Sequence, residues 1–531
     1  MYKLLNMQSR FLIPFIVLFF MIQPMKAQML IDSIIVEGTK QHVQGFPDKW
    51  KQSSMMIPDN SDIIMISGLQ VGQKAGEFEW RKAEEALRAS RLFRSVHLEI
   101  DTLDARNVTV YIIHEPALPE QGPGIFVNLG GSATAIGGIY HTRSFQGALI
   151  DLLADIQNRT ELGIGPDVSL AGMWNNAFRS GLSFGLGLRY HQFMQGITAT
   201  LMQNANPMGG LFYGASLNSL EGMDFLFEEN STRRITQNAQ EYSVWGGWLL
   251  PRKDNLYFTV KATQQKAVRG LPATVQAFDN TRSILFGFGS LADRTRVING
   301  SDIPLGAWGS AVLGRIMPSL ENGESYYYVG GTVEQSELTL NNDLFIRGML
   351  TAGSGLLRGA ALNTALDASF QAQYMIQPDL AIMLNSKVRA SWNWNDFRQL
   401  ILDNDAGVRG LPLNGIIGNN RMIVNVMTAK DFGRLASGFR LGLSAFADMG
   451  TLWNKGRSIL QSSWNTSVGG GILILAEGRS FQTGKPLLRI EYAHLLRGGG
   501  GIVIATDYPF TLFSSHQYSL PTVIGKEIDV E

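Results

Sequence analysis

From Arg440 to Met449 apolar and polar residues alternate without a break, and this period of two constrains the fold more than any other feature. Leu441, Leu443, Ala445, Ala447 and Met449 fall on one face; Arg440, Gly442, Ser444, Phe446 and Asp448 fall on the other. Successive side chains take opposite faces only in a strand, so one face of this segment meets an apolar phase and the other a polar one. The alternation recurs at Ser180–Tyr190, Leu256–Gln264, Ala365–Tyr374, Met422–Ala429 and Leu488–Leu495, with turn-rich stretches between. Residues 122–510, 389 positions, exceed a single sandwich core, and a water-soluble sandwich does not need so many long strands with one consistently apolar face. A transmembrane antiparallel β-barrel does need them. At roughly 24 residues per strand plus connection, the region predicts about 16 strands. Beyond the N-terminus no 18 apolar residues occur in a row, which excludes a helical membrane protein. Mean hydropathy of +0.02 fits a barrel, because lumen-facing polar residues cancel lipid-facing apolar ones. Glycine is frequent, 58 of 531 residues, as expected where turns, bulges and close backbone approach abound.

The first 27 residues read as a secretory signal. Lys3 and Arg10 flank an apolar core, Phe11 to Ile22, that is too short to span a bilayer as a helix. Met25-Lys26-Ala27 before Gln28 is the expected cleavage site, with Met25 where a small residue is usual; a membrane anchor is the alternative. Cysteine is absent, so an exported chain must be held by burial or closure instead of disulfides. The chain has 45 basic and 45 acidic residues; without Lys3, Arg10 and Lys26 the net charge is −3, which argues against a nucleic-acid partner.

Residues 29–116 mix strand and helix. Ile31–Gly38 reads as a strand ending in a turn glycine. Phe78–Arg91 reads as a helix with Trp80, Ala83 and Leu87 on one face, and Glu79, Arg81, Lys82, Glu85 and Arg88 mostly outside it. Leu92–Ile100 and Asn107–Glu115 read as two further strands, and residues 41–60 as an insertion. Pro116 to Gly124 is a Pro/Gly-rich linker; residues 125–510 are the barrel and 511–531 a C-terminal tail.

Little in the chain points to covalent chemistry. Gly181-Leu182-Ser183-Phe184-Gly185 matches the hydrolase elbow pattern, yet the run continues to Tyr190 with strand alternation, and the elbow needs strand, sharp turn and helix. The seven histidines have no metal-ligand spacing. Gly498–Gly501 lacks the strand-and-helix setting of a nucleotide loop and reads as a hairpin turn or a flexible seam. The expectation is a protein without catalytic residues, metal or cofactor, and not an enzyme.

Two short segments carry a more specific signal. Gly407-Val408-Arg409-Gly410-Leu411-Pro412 lies between two alternating segments, and Phe446-Ala447-Asp448-Met449-Gly450 follows it. A guanidinium inside a barrel needs a fixed carboxylate, because an unpaired, partly desolvated charge is expensive. Asp448 lies on the polar face of its strand and is the expected partner of Arg409. Gly410 permits close approach to the wall, and Pro412 stiffens the exit. Val268-Arg269-Gly270-Leu271-Pro272 repeats the first segment. After Val408, however, five strands remain, at 421–431, 438–450, 464–475, 487–497 and 500–508, whereas far more chain follows Val268.

The pair resembles the inward-folded loop motif and its strand partner in the BamA/TamA superfamily of outer-membrane assembly factors, barrels that insert or translocate other proteins. In that family the loop precedes the last five strands of a 16-stranded barrel, which selects Val408, Arg409, Gly410 and Leu411 as the loop motif, with Phe446, Asp448 and Gly450 as its wall partner. The N-terminal segments Glu37-Gly38-Thr39, Leu69–Gln73 and Leu92-Phe93-Arg94-Ser95-Val96 resemble a POTRA domain, the periplasmic α+β module of the family. Three positions depart from the pattern: Leu411 stands where an aromatic is frequent, Arg421–Lys430 lacks a glutamate often seen there, and Tyr508 and Phe510 are followed by a tail to Glu531. The resemblance implies one POTRA-like domain before an all-β barrel in the outer membrane of a Gram-negative bacterium, with the POTRA in the periplasm. It implies partners in the lipid bilayer, in unfolded outer-membrane or secreted clients, and in periplasmic or lipoprotein accessories. Glycines at Gly130-Gly131 and Gly498–Gly501 are candidates for a seam that opens. A dedicated secretion pore, a passive or substrate-specific porin and an outer-membrane hydrolase are the alternatives.

Overall fold

The computed structural model describes residues 29–38, most of 58–116, most of 122–506, and 519–524. The expected signal at 1–27, most of the 41–60 insertion, Gly130-Gly131, Tyr508 and Phe510 lie outside the described residues.

A small α+β unit comes first. β1 (Met29–Gly38) leads to α1 (Asn60–Ser67), a two-residue β2 (Lys74–Ala75), α2 (Glu77–Ala89), β3 (Phe93–Thr102) and β4 (Asn107–Pro116). The sheet order is β2-β1-β4-β3, with β1 parallel to β4 and β3 antiparallel to it. α2 starts where the Glu79 carboxylate accepts the Gly76 N–H at 2.8 Å. Its Ala83 and Trp80 pack with Ile31, Ile34, Leu98 and Val110, and Leu87 packs with Ile63, Val96 and Ile112, which is the predicted face. Lys82, expected on the polar side, is buried instead; its ammonium lies 3.6 Å from Glu85 and near the Phe78 ring, as a long apolar stem allows.

The larger unit is strand after strand. β5 (Gly122–Leu129), β6 (Ala135–Thr142), β7 (Ile150–Arg159), β8 (Pro166–Ala177), β9 (Leu182–His191) and β10 (Met194–Gln203) are short. β11 (Gly210–Glu228), β12 (Ser231–Leu250), β13 (Leu256–Leu271) and β14 (Val275–Ser290) are longer. β15 (Arg294–Ile298), β16 (Ser301–Pro318), β17 (Tyr326–Thr339), β18 (Leu344–Leu357), β19 (Ala360–Gln377) and β20 (Leu380–Trp392) follow. β21 (Leu400–Leu402) and β22 (Ile416–Gly418) pair with each other outside the wall. β23 (Asn420–Ala436), β24 (Phe439–Trp453), β25 (Trp464–Ala476), β26 (Leu488–Leu495) and β27 (Gly500–Thr506) complete the series. All but β21 and β22 belong to one closed antiparallel barrel in which β27 returns to β5.

One boundary and the number of strands differ from the sequence reading. Pro116 ends β4 and Gly122–Gly124 already belong to β5, so the linker is shorter than 117–124; proline is tolerated at a strand end. The five strands after the motif loop stand where expected, but upstream the described wall holds more than the eleven that about 16 strands require. β5 to β10 explain the difference: each has 8 to 12 residues and the stretches between them are short, so they consume less chain than roughly 24 residues each. The second copy of the motif, Val268–Leu271, is the end of β13, a wall strand and not a loop. Gly181 makes a turn and Leu182 to His191 are β9.

The wall separates two environments. Phe212, Leu249, Tyr257, Leu285, Val312 and Tyr328 are buried inward, while their neighbours Leu211, Trp248, Phe258, Phe286, Leu313 and Tyr327 are exposed outward. This apolar outer belt suits the hydrocarbon of a bilayer, and closure leaves the backbone satisfied there. Cross-strand ion pairs such as Asp167–Arg189 at 3.1 Å and Asp367–Arg389 at 2.8 Å serve the polar inner face. The small unit docks on turns at one rim: Leu149 joins its core with Ile63 and Leu87, Met208 packs beside Ile31, and Asn176 donates to Asp62 at 2.9 Å.

Candidate functional site

The connection between β20 and β23 turns back into the lumen and is fastened to the last strands. It closes on itself first. Asp403 accepts the Ala406 N–H at 2.8 Å through its side chain and the Val408 N–H at 3.1 Å through its carbonyl, and the Asn404 side chain accepts the Gly410 N–H at 3.0 Å. Its apolar side chains, Leu400, Leu402, Val408 and Leu411, then pack with Ile423, Leu452 and Leu495 of the wall. Leu411, where the family pattern favours an aromatic, is therefore a buried anchor.

Arg409 projects from the tip of this loop. Its Nε donates to Asp448 Oδ2 at 2.7 Å and its Nη2 to Asp448 Oδ1 at 2.8 Å, a bidentate fork, and its backbone N–H adds a third bond to Oδ2 at 3.2 Å. Its Nη1 donates to Glu491 Oε1 at 3.0 Å and Oε2 at 3.2 Å. The guanidinium carbon lies 3.4 Å from the centroid of the Phe446 ring, stacked on its face. Asp448 is 0% exposed and Glu491 1%. These carboxylates are stable in such a place only because the loop delivers a cation to both. Arg489 Nη1, 3.7 Å from Glu491, supplies a second positive charge. Asn425 ties the two parts together, donating to Asp448 Oδ1 at 2.8 Å and to the Gly407 carbonyl at 2.6 Å, and Ser444 donates to Glu491 at 2.8 Å.

The register explains why these residue types stand at this spacing. On β24, Ser444, Phe446, Asp448 and Gly450 are successive inward positions. Gly450 leaves room for the loop: a Cβ there would lie 2.6 Å from Val408 Cγ2 and 2.7 Å from Leu402 Cδ1. Gly410 has φ of +79° and a Cβ there would meet Ala493 Cβ at 2.9 Å, so both its conformation and its space favour glycine. The next strand offers Gly469 opposite Phe446 and Gly471 opposite Ser444, and Gly471 in turn faces Glu491 of β26. With no inward side chains at those positions of β25, the Phe446 ring lies flat and Arg409 reaches across a strand to Glu491.

All seven predicted site residues, Val408, Arg409, Gly410, Leu411, Phe446, Asp448 and Gly450, thus meet at one place. Glu491, Asn425, Asp403 and Asn404 were not singled out from sequence. Glu491 had a signal: the alternation of Leu488–Leu495 puts it mid-strand on the face opposite Ile490 and Tyr492, where a lone carboxylate needs a cation.

A second feature is the closure of the barrel. Among the described residues β27 and β5 are joined at two register pairs, Ile504 with Leu129 and Ala505 with Asn128. The flanking ladders β5–β6 and β26–β27 each run through seven, and β11–β12 through nineteen. The clamp holds β24 and β26, and Val503 of β27 packs beside Phe446 and Ala493, so the loop braces the last strands up to the weak joint.

No protein-family model and no curated protein matches the chain. Among solved structures the chain is similar to BamA from Haemophilus ducreyi lacking POTRA domains 1–3, at 12% identity and a TM-score of 0.36 over 84% of each chain. It is similar to CdiB from Acinetobacter baumannii at 10% identity and a TM-score of 0.44, covering 90% of this chain and 74% of that one. CdiB from Escherichia coli gives 13% identity and a TM-score of 0.46 over the same shares.

Proposed function

We propose that this chain is an outer-membrane barrel of the BamA/TamA type that assembles or translocates client proteins without covalent catalysis. The observation that carries the reading is the contrast between a clamped motif loop and a seam that shows two register pairs among the described residues. A closed barrel hides every strand edge. Among the described residues the β27–β5 joint has the shortest ladder between wall neighbours, so parting it would expose two edges to a client strand, which would add by β-augmentation. The Arg409 clamp keeps β24 and β26 in register while the joint parts, so opening does not unravel the wall.

The small N-terminal unit is read as a POTRA domain facing the periplasm. Its strand β3 is an edge of the four-stranded sheet, ten residues long, with His97, Glu99 and Asp101 exposed. Such an edge can capture an extended client and deliver it to the rim on which the domain docks. The test is reconstitution. Liposomes holding the protein should speed the membrane insertion of an unfolded barrel client over protein-free liposomes. Client recovered inside the vesicles would assign secretion instead. No effect on either would sink the proposal and leave a passive barrel.

A further inference from the structure

The tail beyond the last strand is not used by this function, yet residues Ser519–Ile524 lie inside the lumen. Leu520 packs with Met202, Phe212, Trp245, Leu249 and Tyr257, all inward-facing. Val523 packs with Leu285, Val312, Ile316, Tyr326 and Tyr328. Polar ends are met as well: the Ile524 N–H donates to the Tyr328 hydroxyl at 2.9 Å, and the Tyr257 hydroxyl bonds Ser310 and Ser519. The wall is shaped for the segment. Gly287 and Gly353 face it without side chains; a Cβ at Gly287 would lie 3.2 Å from Pro521 Cβ, and one at Gly353 would lie 3.1 Å from Ile524 Cδ1. Six extended residues reach about 20 Å, and a segment that runs through the lumen can touch strands on several sides of it. The segment carries no charged residue, and Pro521 denies it a full ladder of its own, which keeps it a single strap. This arc of the wall is separate from the clamp, whose partners lie on β23 to β26.

We propose that the inner wall from β10 to β19 is a binding groove for an extended, uncharged, apolar peptide, and that the C-terminal segment Ser519–Ile524 is its resident occupant. The groove is built of apolar pockets at two side chains, Leu520 and Val523, with hydrogen bonds at each end, the pattern by which extended peptides are recognised. A cavity of about 290 Å³ beside the segment, lined among others by Thr332, Thr351 and Arg389, leaves room for a larger occupant. The inference stands whether the barrel inserts or secretes its clients.

A variant truncated after Tyr518 exposes the empty groove. A fluorescent synthetic peptide of sequence Ser-Leu-Pro-Thr-Val-Ile should bind it saturably, and a scrambled peptide should not. The full chain should bind the peptide at least about tenfold more weakly, because the tethered segment competes at an effective concentration near millimolar. Equal binding to both proteins, or none to the truncated one, overturns the proposal. A second variant guards against misfolding of the first. The chain has no cysteine, so Gly287→Cys/Pro521→Cys in the full-length protein is a clean pair near disulfide geometry. Oxidation with diamide should join the two thiols and shift gel mobility; thiols that stay free place the tail elsewhere and overturn the proposal.

Discussion

Removing Arg409 should cost far more than a surface arginine does, and the structure gives the scale. Arg409→Met deletes the fork on Asp448 and the bond to Glu491 and leaves two buried carboxylates without their shared cation. Breaking one partner of a buried pair costs about 3–5 kcal/mol. Asp448→Asn keeps the shape but loses the charge, and Glu491 still holds Nη1, so about 1.5–3 kcal/mol is expected, the worth of a hydrogen bond to a charged group. In Arg409→Met/Asp448→Asn no unpaired aspartate remains, and Arg489 stays beside Glu491. The double variant should therefore fall short of the sum of the singles by about 1–3 kcal/mol. Arg409→Lys should rescue only in part, since an ammonium cannot hold Asp448, Glu491 and the Phe446 face at once. The assay is urea unfolding of the protein in lipid vesicles, followed by tryptophan fluorescence and by gel mobility without heating. Single-variant costs below about 1 kcal/mol that simply add would describe a solvated loop arginine and refute the reasoning.

Gly450→Val should push Val408 and Leu402 off the wall at about 1–3 kcal/mol, read as faster protease cleavage within 400–411; an unchanged cleavage rate would contradict the packing. In a fragment spanning residues 28–116, Leu87→Ala should cost about 2–4 kcal/mol in urea unfolding, because the side chain is fully buried in the core with Ile63 and Ile112. Burial against Gly38 and the Phe93 ring holds the His114 imidazole below its ordinary pKa of 6.5. The unfolded chain then takes up the proton more readily, so this stability is present above pH 6.5 and is lost as pH falls below it; the urea midpoint of the fragment should drop on acidification, and less so in His114→Leu.

The wall after the motif loop was legible because each strand there buries one face and shows the other, and a period of two survives without any knowledge of partners. The clamp was legible for a related reason. Asp448 is a charge on an inward position, and Arg409 is a cation flanked by a glycine that permits close approach. Glu491 and Asn425 were harder, since they meet Arg409 across strands whose register no local pattern states. The strand number upstream exceeds the eleven that about 16 require because β5 to β10 are short and closely spaced, which an average length per strand hides. The lumenal tail left no signal of its own: Leu520 and Val523 are ordinary apolar residues until the pockets they fill are known.

The seam is where the account is most exposed. Leu129→Cys/Ile504→Cys, introduced into a chain that has no other cysteine, joins the two strands at one of the two register pairs made by described residues. Each single variant should insert an unfolded barrel client into liposomes at the rate of the unaltered protein. Oxidising the double variant should abolish that activity, and reduction should restore it. Full insertion activity with the seam locked would contradict the claim that client strands engage this barrel by opening it between β27 and β5.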